Sequence, residues 1–231
     1  MNVKNNRQFI AVSAIVIVFL IALIILIILR NKGKLSIGGR FAMSSFKRRL
    51  LDNADAEFQK WNYGKTKEQD PSMLPTLEKY WQHGAGVNYK GAVARNNAWS
   101  AAAISYLMKT SGSGDDFPYA ASHSTYITRF ILARKNNTSS PFKGYRVNEV
   151  AVEPGDLVCY SRNNSSANYD TVGSYESHCD LVVEKESGSA ESRGGNVSNS
   201  FSKTIVPLTD QDRIDLSRTS KPYFVVIKNS K

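Results

Sequence analysis

Phe9 to Leu29 is a run of 21 uncharged residues, nearly all Ile, Leu, Val, Ala and Phe. An apolar helix of that length spans a bilayer. Signal-peptide cores are shorter, and no Ala-x-Ala-like cleavage site precedes Arg30. The pattern therefore predicts a short tail at 1–8 and an uncleaved transmembrane helix at 9–29. Residues 30–44 are basic and rich in Gly and Ser, which reads as a flexible linker. From there to residue 231 the pattern is that of one folded domain. Phe46, Leu50, Ala54, Phe58 and Trp61 recur every three or four positions and predict a helix. Pro71 and Pro75 interrupt the chain. Leu77, Tyr80 and Trp81 mark a short helix ending near Gly84 and Gly86. Ala98 to about Lys109 reads as an apolar helix stopped by Ser111-Gly112-Ser113-Gly114. Tyr119 to Arg134 reads as another, with His123, Tyr126, Ile127, Phe130 and Ile131 on one face.

Beyond Asn136 the period shortens. Arg146–Val150, Asp156–Tyr160, His178–Glu184, Ser202–Val206 and Tyr223–Ile227 read as strands bounded by Pro, Gly, Asn and Ser. Helices first and strands afterwards predict an α+β fold. The stretch 162–174 is Asn/Ser-rich and reads as an exposed loop. No internal repeat is present.

Composition narrows the function classes. Thirty Lys and Arg against twenty Asp and Glu give a net charge of +10. That excess favours anionic partners, or is membrane-flanking Lys and Arg. No nucleic-acid recognition motif or basic-aromatic ladder accompanies the charge, so no specific nucleic acid is expected. Two cysteines and three histidines without a close cluster argue against a structural zinc site. No metal and no cofactor is expected. Cys159 and Cys179 fall in neighbouring predicted strands, where either a cross-strand disulfide or two buried thiols is compatible with the sequence.

Candidate chemistry lies in three separated segments. Asn97-Ala98-Trp99-Ser100-Ala101-Ala102-Ala103-Ile104 puts a serine at the expected start of an apolar helix, capped by Asn96 or Asn97. Unpaired N–H groups and the positive dipole end favour an anionic oxygen there. Pro154-Gly155-Asp156-Leu157-Val158 is a turn entering a strand, with Asp156 fixing the turn. Ser177-His178-Cys179-Asp180-Leu181 leads a strand with a histidine.

Helix-borne nucleophile, Gly-Asp strand entry and His-led strand, in that order, resemble the papain-like cell-wall hydrolases of the NlpC and CHAP type. Trp99-Ser100-Ala101-Ala102-Ala103-Ile104 is similar to the Trp-Cys-Ala-Ala-Phe-Val run that opens their catalytic helix, with serine for cysteine. Gly194-Gly195-Asn196 is similar to a Gly-Gly-Asn segment after their histidine strand. The resemblance covers about residues 54–227 and implies a papain-like domain with helices on an antiparallel sheet. It implies Ser100 as nucleophile, His178 as base and Asn196 as the group orienting that base. Serine cannot become a stable thiolate-like anion, and an amide in place of the triad carboxylate costs a serine protease about 10⁴ in rate. Asp180 and Glu176, two residues either side of His178 on its strand face, are candidates for the missing charge. Trp99, His123 and Tyr160 are candidate substrate contacts.

The function these expectations describe is a membrane-anchored peptidoglycan amidase or endopeptidase. The alternative is an inactive module that binds wall peptide or glycan. Peptidoglycan and, through residues 9–29, a lipid membrane are the expected partners. The expected location is single-pass in a bacterial envelope or the internal membrane of a virus particle. Charge sidedness conflicts with this. Arg30, Lys32, Lys34 and Arg40 after the span outnumber Lys4 and Arg7 before it, which favours a cytoplasmic domain.

Overall fold

The computed structural model describes residues 43–163 and 165–231. The fold is α+β. Helix α1 (Ser45–Lys60) is followed by a 3-10 turn at Pro71–Met73, α2 (Leu74–Lys79) and a π-helical turn at Tyr80–Ala85. Then come α3 (Gly91–Asn96), α4 (Ser100–Ser111) and α5 (His123–Lys135). Six strands follow: β1 (Phe142–Tyr145), β2 (Leu157–Ser161), β3 (Ser177–Glu186), β4 (Ser189–Val197), β5 (Ser200–Pro207) and β6 (Tyr223–Asn229). They form one antiparallel sheet in the order β1-β6-β2-β3-β4-β5.

One expectation about the architecture is corrected. Among the described residues no helix is long and apolar enough to cross a membrane. The transmembrane helix expected at 9–29 lies outside the described residues, as do the tail and residues 30–42 of the linker. The described structure is thus an α+β domain without a spanning helix, and it does not support single-pass membrane placement.

Helix α4 is the hub. Nine consecutive residues from Ser100 to Met108 are buried, so it is apolar all round, as a central helix must be. It packs on α1, the π-helical turn, β3 and β4. Its end is a Gly stop. Gly112 is left-handed, and the N–H groups of Gly112 and Ser113 donate to the carbonyls of Lys109 and Met108, which satisfies two carbonyls of the last turn. Gly84 lets the π-helical turn touch α4, because a Cβ there would overlap the Ala102 carbonyl oxygen.

The core has two parts. The larger lies between helices and sheet, with Leu50, Trp61, Trp99, Ile104, Phe130, Leu157, Leu181 and Ile227 among its members. The smaller gathers Val147, Val152, Val158, Val182, Val206, Leu208, Ile214 and Val226, half of them from strands and half from the segments 146–156 and 208–214. Segment 146–150, expected as a strand, is instead a turn in which the Glu149 N–H donates to the Arg146 carbonyl and the Glu149 carboxylate accepts from the Arg146 N–H. The strand next to it, β1, begins four residues earlier and pairs with β6. Asp156 fixes its turn as expected: it accepts from the N–H groups of Glu153 and Asn229 and from Lys228 Nζ. Cys159 and Cys179 are register partners on β2 and β3 and are disulfide-bonded, with both residues fully buried.

Candidate active site

Trp99 decides where α4 starts. Its ring stacks on Trp61 at 4.9 Å and 12° and on Tyr80 at 5.7 Å. Its indole N–H donates to Glu68 Oε2 at 2.7 Å. Such aromatic contacts add about 0.5–1.5 kcal/mol each beyond area burial. With Trp99 held as N-cap, its carbonyl accepts the first intrahelical bond, from the Ala103 N–H at 3.0 Å. Ser100 is therefore the first helical residue, and the N–H groups of the first turn precede that bond. Asn97 does not cap α4. Its amide donates back to the Val93 carbonyl at 2.8 Å, closing α3. Trp99 is fully buried and lies off the cleft, so the expected substrate contact is a core residue that places the nucleophile.

His123 is the first residue of α5. Ser105, on α4 one turn and a half beyond Ser100, holds the preceding segment through both backbone groups of Ala120 at 3.0 Å. The result is that His123 Nε2 lies 2.7 Å from Ser100 Oγ. Its Nδ1 meets the Tyr126 hydroxyl, one turn along the same helix. Ser100 and His123 are almost fully buried. Burial, then His178 and Arg162 nearby, hold the His123 pKa well below the usual imidazole value, so the ring is neutral at pH 7. Burial, with Asp180 next, pushes the Tyr126 hydroxyl well up, so it stays protonated.

His178 stands one ring further back. Its centroid is 5.1 Å from that of His123. Arg162 NH1 donates to Nδ1 at 3.2 Å, and Nε2 lies 2.6 Å from Asp180 Oδ1. A guanidinium has only donors, so Nδ1 must accept and Nε2 must carry the proton given to Asp180. Both nitrogens are engaged, and His178 makes no hydrogen bond with Ser100. The expected Ser100–His178 pair is corrected: the imidazole on the hydroxyl is that of His123, because α5 begins above α4 while β3 leads His178 into the Asp180–Arg162 bracket. Asp180 does supply the carboxylate beside His178, and among the described residues its buried Oδ2 has no hydrogen-bond partner.

Asn196 orients neither histidine, since all four ring nitrogens have other partners. It sits at φ +57° where β4 and β5 shift register between Gly194 and Val197, a bulge conformation that Asn tolerates. The two glycines before it have a steric role. A Cβ on Gly194 would overlap Asp180 Oδ1, and one on Gly195 would come within 2.5 Å of the Trp99 ring and 2.6 Å of Ala103 Cβ. Tyr160 is the register partner of His178. Its ring packs 5.1 Å from that of His178, with Lys221 Nζ 4.6 Å above it, and it lies off the cleft beside Ser100. Glu176 reaches neither histidine and stands exposed on the cleft wall.

That cleft has a volume of about 340 Å³ and is lined by Ser100, Ser122, His123, Arg162, Tyr175 and Glu176 among others. No group of acidic, His or Cys side chains among the described residues is arranged to hold a metal ion. The sequence places Tyr126 on the His123 face of its helix without marking it as a site residue, and it singles out neither Ser105 nor Arg162. Tyr126 was within reach, since a residue three positions after His123 shares its helix face.

The arrangement belongs to the class of α+β domains carrying a Ser–His pair at a helix start. The chain is a member of the family described as uncharacterized protein conserved in bacteria (DUF2272), whose model matches residues 56–228. No curated protein matches the chain, and no solved structure does. The family description names no activity, and no comparison links the chain to the NlpC and CHAP group.

Proposed function

We propose that this protein is an acyl-transfer hydrolase that cleaves an amide with Ser100 as nucleophile and His123 as base. The observation carrying this reading is the 2.7 Å contact of Ser100 Oγ with His123 Nε2 at the start of α4, in a cleft. In the competent tautomer Ser100 donates to Nε2, and Nδ1–H donates to Tyr126. Ser100 Oγ attacks the carbonyl carbon and its proton passes to Nε2. The N–H groups of the first α4 turn face the developing oxyanion. Nε2 then protonates the departing amine, and water releases the acyl group by the same path in reverse. The resemblance at Trp99-Ser100 supplies the substrate class, a stem-peptide amide of peptidoglycan.

Fluorophosphonate labelling tests the nucleophile. The label should map to Ser100 by peptide mass, and S100A and H123Q should lose it. Zymograms with purified wall material test the substrate, wild type clearing and S100A not. Labelling of any other serine, or none, sinks the catalytic reading. A second reading, a module that binds wall peptide without cutting it, is favoured by one observation: the orienting group on His123 is a neutral phenol, which stabilises an imidazolium less than a carboxylate does. Wall binding by both wild type and S100A, without clearing by either, selects it.

A further inference from the structure

Arg162 is half-buried on the cleft wall beside Ser100 and His123. Among the described residues it has no carboxylate partner. The nearest acid along its contacts, Asp180, is separated from it by the His178 ring. Its backbone is fixed, with its N–H on the Glu176 carbonyl at 3.2 Å and its carbonyl accepting from the Ser165 N–H at 2.9 Å. Its side chain is aimed by one bond, NH1 to His178 Nδ1. Among the described residues that leaves most of the five-donor fork without an acceptor. A guanidinium held this way is preorganised for a carboxylate, which it binds with paired charge-assisted hydrogen bonds. Glu176 stands exposed on the same wall, so the cleft offers both signs of charge and suits a peptide end better than a polyanion.

We propose that Arg162 determines specificity by pairing with a free carboxylate of the substrate next to the scissile amide, so that the cleft takes a short peptide carrying a free acid. This rests on the reading of the cleft as the substrate site. Occupation of Arg162 would also act on the base. The guanidinium is one of three influences that hold the proton affinity of His123 down, and a bound carboxylate offsets it.

The test is equilibrium binding, which does not need turnover. Acetyl-Ala-Ala as free acid and as carboxamide are titrated calorimetrically into the full chain of wild type, S100A, R162Q and R162K. Wild type and S100A should bind the acid about tenfold or more tighter than the amide, the scale of one charge-assisted contact. R162Q should bind both alike, and R162K should keep a reduced preference. The wild-type preference should shrink with added salt, which tests the ionic contact even where R162Q does not fold. Equal binding of acid and amide by wild type, or an undiminished preference in R162Q, overturns the proposal. Fluorophosphonate labelling reports separately on Ser100: a preference for the acid with no labelling removes the hydrolase and leaves the carboxylate site.

Discussion

At the scale of single residues, the central question is which histidine serves Ser100. H123Q should lower turnover by about 10² to 10⁴, the range for loss of a positioned base. Y126F should cost less, since it removes only the partner of Nδ1. Steady-state kinetics on one amide substrate checks the order, and an equal or larger loss in H178Q with H123Q active would reverse the roles. Acidity gives an independent handle. The folded-state pKa of His123 lies below its unfolded value of about 6.5. The unfolded chain therefore takes up the proton first as pH falls. The contribution of this residue is fully present above pH 6.5, declines below it, and levels off under the folded pKa. Melting temperatures from pH 8 downward should show an acid-side loss in wild type that is smaller in H123Q. The acid limb of the rate profile should likewise lie below pH 6.5.

At the scale of elements, what was legible depended on whether side-chain period or side-chain absence carried the information. Phe46, Leu50, Ala54 and Phe58 announce α1, and Ser111-Gly112 announces the end of α4, because periodicity and a left-handed stop are local. Strand β4 was invisible. It reads Ser-Ala-Glu-Ser-Arg-Gly-Gly-Asn-Val, with little β-branched content, and is held by β3 and β5 on either side. The missing Cβ atoms of its two glycines make room for Asp180 and Trp99. G195A should destabilise by about 1–3 kcal/mol, the usual cost of overpacking a filled site, measured by urea denaturation. A change under ~0.5 kcal/mol would mean the sheet and α4 separate without strain. In the site, Ser100 was legible as a helix start, but its partner was not. Which of two helical and strand-borne histidines lies on a serine depends on where α5 begins, and that is set by the Ser105 grip on Ala120, a contact across fifteen residues.

At the scale of the whole molecule, the described domain is an antiparallel sheet carrying helices on one face and connecting segments on the other. The disulfide between Cys159 and Cys179 closes a separation of 20 residues between central strands, worth about 3 kcal/mol if it acts on the unfolded chain. Both cysteines are fully buried, so native protein should resist reduction and alkylation that denatured protein accepts, read as a mass increment. C159S/C179S should lower stability by about that amount. Wild-type protein that alkylates at both positions without prior reduction would show free thiols instead. The family match from 56 to 228 runs from α1 into β6, so the Ser100–His123 pair and the His178–Asp180 bracket both fall inside the shared region. The close approach of Gly194 to Asp180 then has an evolutionary corollary. In relatives where any larger residue stands at the first position, the acid at the second should give way to a smaller side chain in step, so that the two columns covary although a hairpin bend separates them.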